Sequence, residues 1–355
     1  MKKRVLVAMS GGVDSSVAAA LLKAKGYEVI GITMCFYLAP SGHKKKSCCS
    51  KQGVKDARRV AHKLGIKHYV LNMQKALEER VIRDFCREYL LGRTPNPCIV
   101  CNKYLKFGTL LDRAKILDAQ FLATGHYARI VKTPSGFLLK KAKDLKKDQS
   151  YFLYRLDQSQ LKHILFPLGN YTKKEVRKLA RKFKLPVAEK KDSQEICFLP
   201  DGDYRSFLKK RANKEMPPGP IVDTRGNTVG RHKGIAYYTI GQREGLGIAR
   251  GYPVYIIRID PKTKSIYIGS KDEASASGFL AKDLHFATKP LLKKIALKVK
   301  IRYNHHEAKA DLFSFGRKSR IIFQKPQFAV TPGQSAVFYD KNRILGGAII
   351  DEVIV

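Results

Sequence analysis

Apolar runs typical of buried strands alternate with helical stripes in the first part of the chain. The strand runs cover residues 5–9, 27–34, 68–71 and 121–123. Between them, apolar residues recur at helical spacing, first from Val13 to Leu22, then from Val54 to Leu64 and again over residues 105–117. Strands that alternate with helices of this length are typical of a parallel sheet covered on both faces. The pattern therefore predicts an α/β fold for this part of the chain.

A further amphipathic helix is predicted from about residue 173 to 184. Thr172 and Glu175 form a Thr-x-x-Glu capping box at its start, and Val176, Leu179 and Ala180 belong to its apolar stripe. Lysine and arginine fill the other positions. We interpret this basic face as a solvated surface, with an RNA-binding face as the alternative.

The pattern changes near residue 200. Residues 217–220, Pro-Pro-Gly-Pro, predict a rigid break, and short strands with glycine-rich turns follow. From residue 295 to 302 apolar and polar residues alternate with period two, and later strands are predicted at 320–323, 335–339 and 344–350. Many short alternating strands favour a small closed β barrel.

The charge changes the picture of possible partners. The 355 residues include 69 Lys and Arg against 30 Asp and Glu, a formal net charge of +39. This excess favours a polyanionic partner, nucleic acid ahead of an acidic membrane face, although a lysine-rich proteome would also raise it. No apolar run approaches the length of a membrane span, and Gly11, Gly12 and Asp14 interrupt the first apolar run too early for a signal peptide. We therefore expect a cytoplasmic protein that does not bind membranes.

The most informative motif is Ser-Gly-Gly-Val-Asp-Ser-Ser at residues 10–16, between a predicted strand and a predicted helix. Such a turn directs backbone N–H groups and the positive helix end at an anion, which predicts a phosphate site. It is not a Walker-type loop, because the Gly-Lys-Ser/Thr ending is absent. It resembles the loop of N-type ATP pyrophosphatases, which cleave ATP between its α and β phosphates. That resemblance implies that Asp14 assists Mg²⁺. Gly125 lies in the loop after the predicted strand 121–123, and loops at the carboxyl ends of parallel strands line the ligand crevice, so Gly125 is expected to face the same nucleotide.

The cysteines suggest sulfur chemistry. Seven are present, an odd number, and all lie in the first 197 residues: Cys35, Cys48, Cys49, Cys86, Cys98, Cys101 and Cys197. Cys98 and Cys101 form a Cys-x-x-Cys before a helix predicted from about Asn102, and a thiol at a helix start has a lowered pKa. Cys197 alone could be an inert buried thiol, and a zinc site lacks a fourth ligand of regular spacing. We read Cys48 and Cys49 as loop residues.

Together, an adenylating loop and paired thiols suggest sulfur transfer. ATP would activate a carbonyl oxygen, and a persulfide sulfur would then displace AMP. A second thiol would resolve the persulfide. A nucleobase carbonyl in RNA satisfies both this chemistry and the basic charge.

The chain closely resembles the bacterial tRNA-specific 2-thiouridylases, the MnmA family, which thiolate C2 of the wobble uridine. The matching segments run nearly end to end. They are residues 10–15, 56–58, 94–102 with 106–108, 123–129, 147–153, 192–198, 232–235, 238–243 and 332–335.

The resemblance implies roles for individual residues. Cys101 would be the nucleophile that resolves the sulfur, and Cys197 would carry the persulfide. ATP would be bound by Ala8, Met9, Ser10, Gly11, Gly12, Val13, Asp14, Ser15, Met34 and Gly125. The target base would face Asn96, Pro97 and Cys98. The tRNA would be contacted by His126, Lys147, Asp148, Gln149, Arg302, Tyr303 and Gln334.

The resemblance also implies a domain order and a set of partners. An ATP-pyrophosphatase domain is expected at residues 1–200, a small central, mainly β domain at 201–275 and a C-terminal β barrel at 276–355. ATP with Mg²⁺ is the expected cofactor set, with no stable metal site of the protein's own. The anticodon loop of tRNA is the expected substrate, and a cysteine desulfurase or a sulfur relay protein is the expected donor. A disulfide between cysteines is expected in the catalytic cycle.

Alternatives stay open at this point. Some family members carry Asp where this chain has Cys98, so the acid–base role assigned to that Asp does not transfer. Cys98, Cys101 and Cys197 could instead ligate an iron–sulfur cluster with one open iron site. Another adenylating enzyme of the same loop class would explain residues 10–16 but not the thiols and the charge. A non-catalytic RNA-binding protein with a relict nucleotide fold is the rival from a different class.

Overall fold

The computed structural model describes residues 2–36, 51–191, 196–199, 202–211, 216–288, 294–315 and 318–355. The chain divides into two compact units. The first unit comprises Met1–Val81, Cys98–Asp203 and Asn342–Ile344. The second unit comprises Ile82–Pro97, Tyr204–Lys341 and Leu345–Val355.

A five-stranded parallel sheet forms the centre of the first unit. The strands of this unit are β1 (Arg4–Ala8), β2 (Glu28–Cys35), β3 (Lys67–Asn72), β4 (Phe121–Ala123), β5 (Ala128–Thr133), β6 (Gly136–Lys141) and β7 (Ile164–Leu165). The sheet order is β3-β2-β1-β4-β7, and every neighbouring pair in it is parallel. The strands β5 and β6 pair with each other as an antiparallel hairpin and do not belong to this parallel sheet. The α/β prediction is confirmed.

Helices cover this sheet. In chain order the helices among the described residues of both units are α1 (Val13–Ala24), α2 (Lys51–Leu64), α3 (Gln74–Leu77), α4 (Arg83–Leu90), α5 (Pro97–Cys101), α6 (Leu110–Ile116), α7 (Gln158–Leu161), α8 (Lys173–Lys182) and α9 (Tyr204–Arg211). Glu78–Ile82 and Asn102–Thr109 are π-helical, and Ser150–Leu153 and Ile235–Tyr237 form 3₁₀ turns. A single apolar cluster joins Val7 of β1, Val17 of α1, Val60 of α2 and Val176 of α8. This packing fixes the start of each helix relative to the strand ends.

The start of the helix after the Cys-x-x-Cys differs from the prediction. We expected it at about Asn102, but α5 begins at Pro97 and continues into the π-helical segment that starts at Asn102. Proline is well suited to the first helical position, because the N–H group that it lacks has no partner there. Cys98 therefore lies in the first turn of α5, and Cys101 is its last residue.

A four-stranded sheet belongs to the second unit. It is built from β8 (Gly219–Val222), β9 (Thr228–His232), β10 (Tyr255–Asp260) and β11 (Ser265–Gly269), in the order β10-β11-β8-β9. The prediction of a break across residues 217–220 is wrong for its second half, since β8 starts at Gly219. The pairing of β8 with β11 begins at Ile221. Pro220 has no N–H to donate, and it is tolerated in β8 because it precedes the residues that pair with β11.

Six antiparallel strands close into the predicted barrel. They are β12 (Ser275–Phe286), β13 (Lys294–Lys300), β14 (Ala308–Phe315), β15 (Lys318–Phe328), β16 (Ser335–Asp340) and β17 (Arg343–Ile354). Their order is β12-β15-β14-β13-β16-β17, and a further pairing of β12 with β17 closes the ring. Leu297, Val299 and Ile301 are buried in its core, as the period-two pattern predicts.

None of the helices among the described residues has the length and apolar character needed to cross a bilayer.

Candidate active site

The loop between β1 and α1 has the backbone shape of an anion cradle. Gly11 has a φ of +73°, and a Cβ at this position would overlap the carbonyl oxygen of Gly53 in α2. Gly12 is the N-cap residue of α1, in an extended conformation. Glycine is required at position 11 for both reasons, and the turn brings the amino end of α1 to the carboxyl end of the sheet.

Serine hydroxyls hold this loop in place. Ser16 donates to the carbonyl oxygen of Gly12 at 2.7 Å, and Ser15 donates to the same oxygen at 3.2 Å. The backbone N–H of Ser10 donates to the Ser15 hydroxyl at 3.2 Å. The loop is therefore shaped before a nucleotide arrives, which lowers the cost of ordering it on binding.

The second predicted glycine lies against the first turn of α1. A Cβ on Gly125 would stand 2.7 Å from the backbone nitrogen of Ser15 and 2.8 Å from the carbonyl carbon of Asp14. On the other side, Met9 donates its N–H to Ile32 at 2.8 Å, and Thr33 donates its hydroxyl to the Met9 carbonyl at 2.7 Å. The ends of β1, β2 and β4 thus meet around the loop, and Met34 belongs to β2 immediately beyond these contacts.

Asp14 has two partners that the sequence analysis did not place. The Lys173 ammonium lies 2.7 and 2.9 Å from the two carboxylate oxygens of Asp14, and the Tyr127 hydroxyl donates to one of them at 2.8 Å. The Lys173 side chain is only 13% exposed. For this residue the interpretation of the basic α8 face as solvated surface is wrong, whereas Lys174 and Lys178 are exposed as expected.

A second lysine holds the loop from another direction. The Lys190 ammonium donates to the carbonyl oxygen of Gly11 at 2.8 Å and to the carboxylate of Asp56 at 2.6 Å. Gln52 donates to the other oxygen of Asp56 at 2.7 Å. Two cations thus stand beside the loop, an arrangement suited to the negative charge of a triphosphate.

The chemistry of Asp14 fits a Mg²⁺ ion carried by a nucleotide. Carboxylate oxygens are hard ligands, and Mg²⁺ is usually held by one or two carboxylates together with phosphate oxygens and water. Asp14, at the amino end of α1, would hold such an ion against the phosphates.

The cysteines of interest differ in exposure. Cys98 is exposed, Cys101 is buried and Cys197 is half-buried. Among the residues described, His, Cys, Asp and Glu form no group of three or more that is placed to hold a metal ion. The alternative that Cys98, Cys101 and Cys197 ligate an iron–sulfur cluster stays a prediction. Cys48 and Cys49 lie outside the described residues.

His126 is enclosed by aromatic rings. Its ring centroid lies 5.9 Å from that of Phe107 and 6.0 Å from that of Phe166, and its Nδ1 is 2.7 Å from the Thr124 hydroxyl. Burial, with a smaller effect from the nearby Lys106 charge, holds the pKa of His126 well below its usual range. The imidazole is therefore neutral near pH 7.

Two of the predicted tRNA-contact residues at 147–149 form hydrogen bonds with neighbouring segments. The buried Asp148 carboxylate accepts the N–H of Ala142 at 2.8 Å and the hydroxyl of Ser150 at 2.6 Å. The Gln149 side chain accepts the N–H of Tyr127 at 3.0 Å. These bonds fix the segment that carries Lys147 to the residues that follow β4.

Three of the predicted site residues in the second unit, Asn96, Pro97 and Gln334, lie around one loop. Gln334 donates to the carbonyl oxygens of Thr94 at 2.9 Å and Pro95 at 3.3 Å, directly before Asn96 and Pro97. The N–H of Thr94 donates to the Pro332 carbonyl at 2.9 Å. The proposed target-base segment is thus fixed to the loop before β16.

Arg302 and Tyr303 lie after β13. The Arg302 guanidinium donates to the carbonyl oxygens of Ile240 at 2.8 Å and Ala329 at 3.1 Å, and also bonds the Thr331 hydroxyl. The ammonium of Lys300 stands 5.4 Å above the Tyr303 ring. Arg302 therefore fixes the connection between the four-stranded sheet and the barrel.

Comparison with known proteins agrees with this architecture. Family models match in three consecutive stretches: a tRNA methyl transferase HUP domain at residues 3–201, a tRNA methyl transferase PRC-barrel domain at 205–270 and an aminomethyltransferase β-barrel domain at 276–350. A tRNA-specific 2-thiouridylase of Caldanaerobacter subterraneus subsp. tengcongensis is 48% identical over 100% of this chain and 99% of its own. A second, from Halothermothrix orenii, is 49% identical over 98% of this chain and 99% of its own.

The chain belongs to the tRNA-specific 2-thiouridylase family.

The thiouridylase assignment identifies an enzyme, a tRNA sulfurtransferase. Among solved structures, a 4-thiouridine synthetase in complex with RNA and ATP has a TM-score of 0.37 at 15% identity, over 59% of this chain and 50% of its own. That likeness is too weak to carry an argument.

Two lysines of this thiouridylase were missed by sequence reasoning. Lys173 is one of several basic residues on α8, and Lys190 stands in a Lys- and Asp-containing stretch with no motif of its own. Asp56 was noted only as part of a matching segment. The sequence signal that bears on Lys173 is the capping box, because it places this lysine at the first position of a helix.

Proposed function

We propose that this thiouridylase carries out ATP-dependent 2-thiolation of the wobble uridine of tRNA. The observation that carries the proposal is the phosphate loop of residues 10–16, shaped by Gly11 and flanked by Lys173 and Lys190, in a chain that belongs to this family over its full length. The activated atom is the C2 carbonyl oxygen of the base.

In the first step this oxygen attacks the α phosphate of ATP, and pyrophosphate leaves. Mg²⁺ supplies charge compensation for the leaving pyrophosphate when it is bound. The N–H groups of the loop and the amino end of α1 face the phosphates. Lys173 and Lys190 add two positive charges where negative charge accumulates, and Asp14 holds the ammonium of Lys173 beside the loop before the nucleotide binds.

The second step exchanges oxygen for sulfur. The terminal sulfur of a Cys197 persulfide attacks C2, the bond between C2 and the adenylated oxygen breaks, and AMP leaves. The Cys101 thiolate then attacks the Sγ of Cys197, and the electron pair of the broken S–S bond stays on the sulfur attached to C2. The products are 2-thiouridine and a Cys101–Cys197 disulfide, which a thiol reductant returns to two thiols.

A sulfur donor restores the persulfide in each cycle. A cysteine desulfurase or a relay protein that presents a persulfide fits this role, since it transfers sulfane sulfur to the Cys197 thiolate without a net change in oxidation state. Cys197 is half-buried, which leaves part of its surface accessible.

The uridine has to leave its stack to reach these groups. Single-stranded loops are read by turning a base out into a pocket. The segment of Asn96, Pro97 and Cys98 supplies the contacts to that base in our proposal, and the bonds from Gln334 to Thr94 and Pro95 hold it. His126, Lys147, Asp148, Gln149, Arg302 and Tyr303 complete the proposed tRNA contacts.

The test is sulfur incorporation into an unmodified tRNA with a wobble uridine. The reaction holds ATP, Mg²⁺, a cysteine desulfurase and cysteine labelled with radioactive sulfur. Wild type is expected to form 2-thiouridine, and Cys197→Ser is expected to release pyrophosphate without transferring label. Cys86→Ser is the matched control, because Cys86 is also half-buried but lies on α4 and has no role in the proposal.

Two results would count against the proposal. Label transfer by Cys197→Ser at the wild-type rate would remove the Cys197 persulfide and leave free sulfide as the nucleophile. AMP release by wild type without any 2-thiouridine, in the presence of a competent donor, would favour an adenylating ligase instead.

A further inference from the structure

A basic pocket lies on the first unit, apart from the nucleotide loop. It is lined by Arg58, Arg59, His62, Lys63, Lys184 and Pro186 and encloses about 520 Å³. The first four residues belong to the second half of α2, and the last two follow α8. All six are exposed.

The pocket lies at the opposite end of α2 from the phosphate loop. Gly53, near the start of α2, contacts Gly11, and Lys63 stands ten residues further on. At a rise of about 1.5 Å per residue, the separation along the helix axis is about 15 Å. Because α2 connects two parallel strands, β2 and β3, its second half runs towards the amino ends of the strands. Nucleotides bind at the carboxyl ends, so ATP does not account for this pocket.

Arginine and lysine side chains give the pocket a positive charge. Within the part of the chain that the structure describes, the ion pairs include no carboxylate partner for Arg59, Lys63 or Lys184. The nearby carboxylates are engaged elsewhere: Asp56 with Lys190, and Glu189 with Arg181. Basic residues at the carboxyl end of a helix also stabilise the helix dipole, but that effect needs neither a concave surface nor residues from a second segment.

The two segments that carry the pocket residues are anchored in the apolar core. Ala57 and Val60 of α2 and Leu185 after α8 are buried in one apolar cluster. The charged side chains therefore project from two segments that the core holds together, so that little backbone rearrangement is needed when an anion binds.

We propose that this pocket binds phosphate groups of the RNA backbone and serves as a second anchor for tRNA, apart from the phosphate loop. The proposal rests on the proposed function. Phosphate contacts fix the position of a nucleic acid without reading its sequence, which suits an extended substrate whose target base is bound elsewhere. The guanidinium of Arg can donate two hydrogen bonds to one phosphate, and the ammonium of Lys adds a compact positive charge. Proteins use both groups to bind phosphates.

The test compares charge reversal in the pocket with charge reversal elsewhere. The variants are Arg59→Glu with Lys63→Glu, and Lys184→Glu alone; Arg58 is left unchanged because its charge acts on His68. Lys25→Glu with Lys132→Glu is the matched control, since both lysines are exposed, lie in the same unit and line no part of the pocket. The Kd for unmodified tRNA is measured over a series of salt concentrations, together with the KM for ATP.

We expect the double variant, Arg59→Glu with Lys63→Glu, to bind tRNA about tenfold more weakly at physiological salt. The slope of log Kd against log salt should fall by about 1 for each lost phosphate contact. The KM for ATP should stay at the wild-type value in these variants. The control double variant should keep the wild-type Kd for tRNA and the wild-type salt slope. An unchanged Kd and slope in the pocket variants would overturn the proposal.

Other occupants give different results. If the variants lose binding of inorganic pyrophosphate but keep the tRNA Kd, the ligand is a free phosphate compound. If they keep the tRNA Kd but lose sulfur transfer from the donor protein, the pocket docks an acidic protein surface. Either outcome overturns the RNA assignment. A wild-type enzyme that thiolates tRNA normally shows that only this inference has failed, whereas a wild type that does not thiolate tRNA at all refutes the proposed function.

Discussion

At the scale of single residues, the ion pair of Asp14 and Lys173 is the main feature of the nucleotide site. Lys173 contacts both oxygens of the carboxylate, and its side chain is 13% exposed. A partly desolvated ammonium held beside a phosphate loop has two possible anionic partners, the carboxylate and a phosphate. When a nucleotide with Mg²⁺ enters, we expect Asp14 to face the metal and Lys173 to face the phosphates.

Replacing Lys173 tests this role. Lys173→Met keeps the length of the side chain and removes the charge. A hydrogen bond to a charged group contributes about 1.5 to 3 kcal/mol, so we expect the KM for ATP to rise about tenfold or more. Lys174→Met, at the exposed neighbouring position, should leave the KM for ATP unchanged, and tRNA affinity should be the same in both variants. A wild-type KM in Lys173→Met would assign the lysine a purely structural role.

At the scale of elements, the start of α8 shows a local signal that the fold preserves. Thr172 accepts the N–H of Glu175 at 3.2 Å, and the Glu175 carboxylate accepts the N–H of Thr172, as the capping box predicts. These bonds, with the Lys143 charge, lower the pKa of Glu175 to about 2. The box fixes the first turn of α8, from which Lys173 reaches Asp14.

The lowered pKa makes this cap sensitive to acid. Because the pKa of Glu175 is lower in the folded state, its stabilising effect is full above about pH 4.5 and is lost as the pH falls towards 2. The difference in unfolding free energy between wild type and Glu175→Gln should therefore shrink across that range. Denaturant unfolding at a series of pH values measures it, and a difference that is independent of pH would contradict the assignment.

A cap variant serves as the control for this measurement. Thr172→Ala removes a hydroxyl that does not titrate, and such a change typically costs about 1 kcal/mol. Because the Thr172 side chain also helps to lower the pKa of Glu175, the part of its effect that comes from capping the helix should persist below the pH at which the carboxylate is protonated. The helix α5 shows the converse case, because a helix was predicted only from about Asn102 although α5 begins at Pro97, and proline is favoured at the first position of a helix.

At the scale of the whole molecule, the main feature is the net charge of +39, which determines the kind of partner that the protein can bind. Even if every one of the 30 acidic residues were paired, most of the 69 basic residues would have no carboxylate partner. Such an excess is suited to an anionic polymer, in agreement with membership of a family that modifies tRNA. The domain limits at residues 200 and 275 stay a prediction.

The charge predicts a steep salt dependence. If six to ten phosphates are contacted, tRNA affinity should fall by about 10³-fold or more between 50 and 200 mM salt. Binding assays over that range test it, with the KM for ATP as an internal reference that should vary far less. A tRNA affinity that hardly changes would mean that the basic charge does not serve RNA binding.

The sequence by itself determined the features that depend on neighbours along the chain. The alternation of strands and helices, the period-two strands of the barrel, the capping box of α8 and the glycine loop at residues 10–16 each depend on local backbone preference and on which face is apolar. These patterns, with the motifs shared with a known family, were sufficient for the fold class and for the candidate ATP site.

Only the tertiary structure decided which distant residues meet. Lys173 stands 159 positions from Asp14, and Lys190 stands 179 positions from Gly11, and no local pattern marks one lysine among the many of this chain. Gly125 lies against Ser15 because β4 is placed beside β1 in the sheet. Side-chain contacts of this kind depend on how layers pack, and packing is a property of the folded chain as a whole.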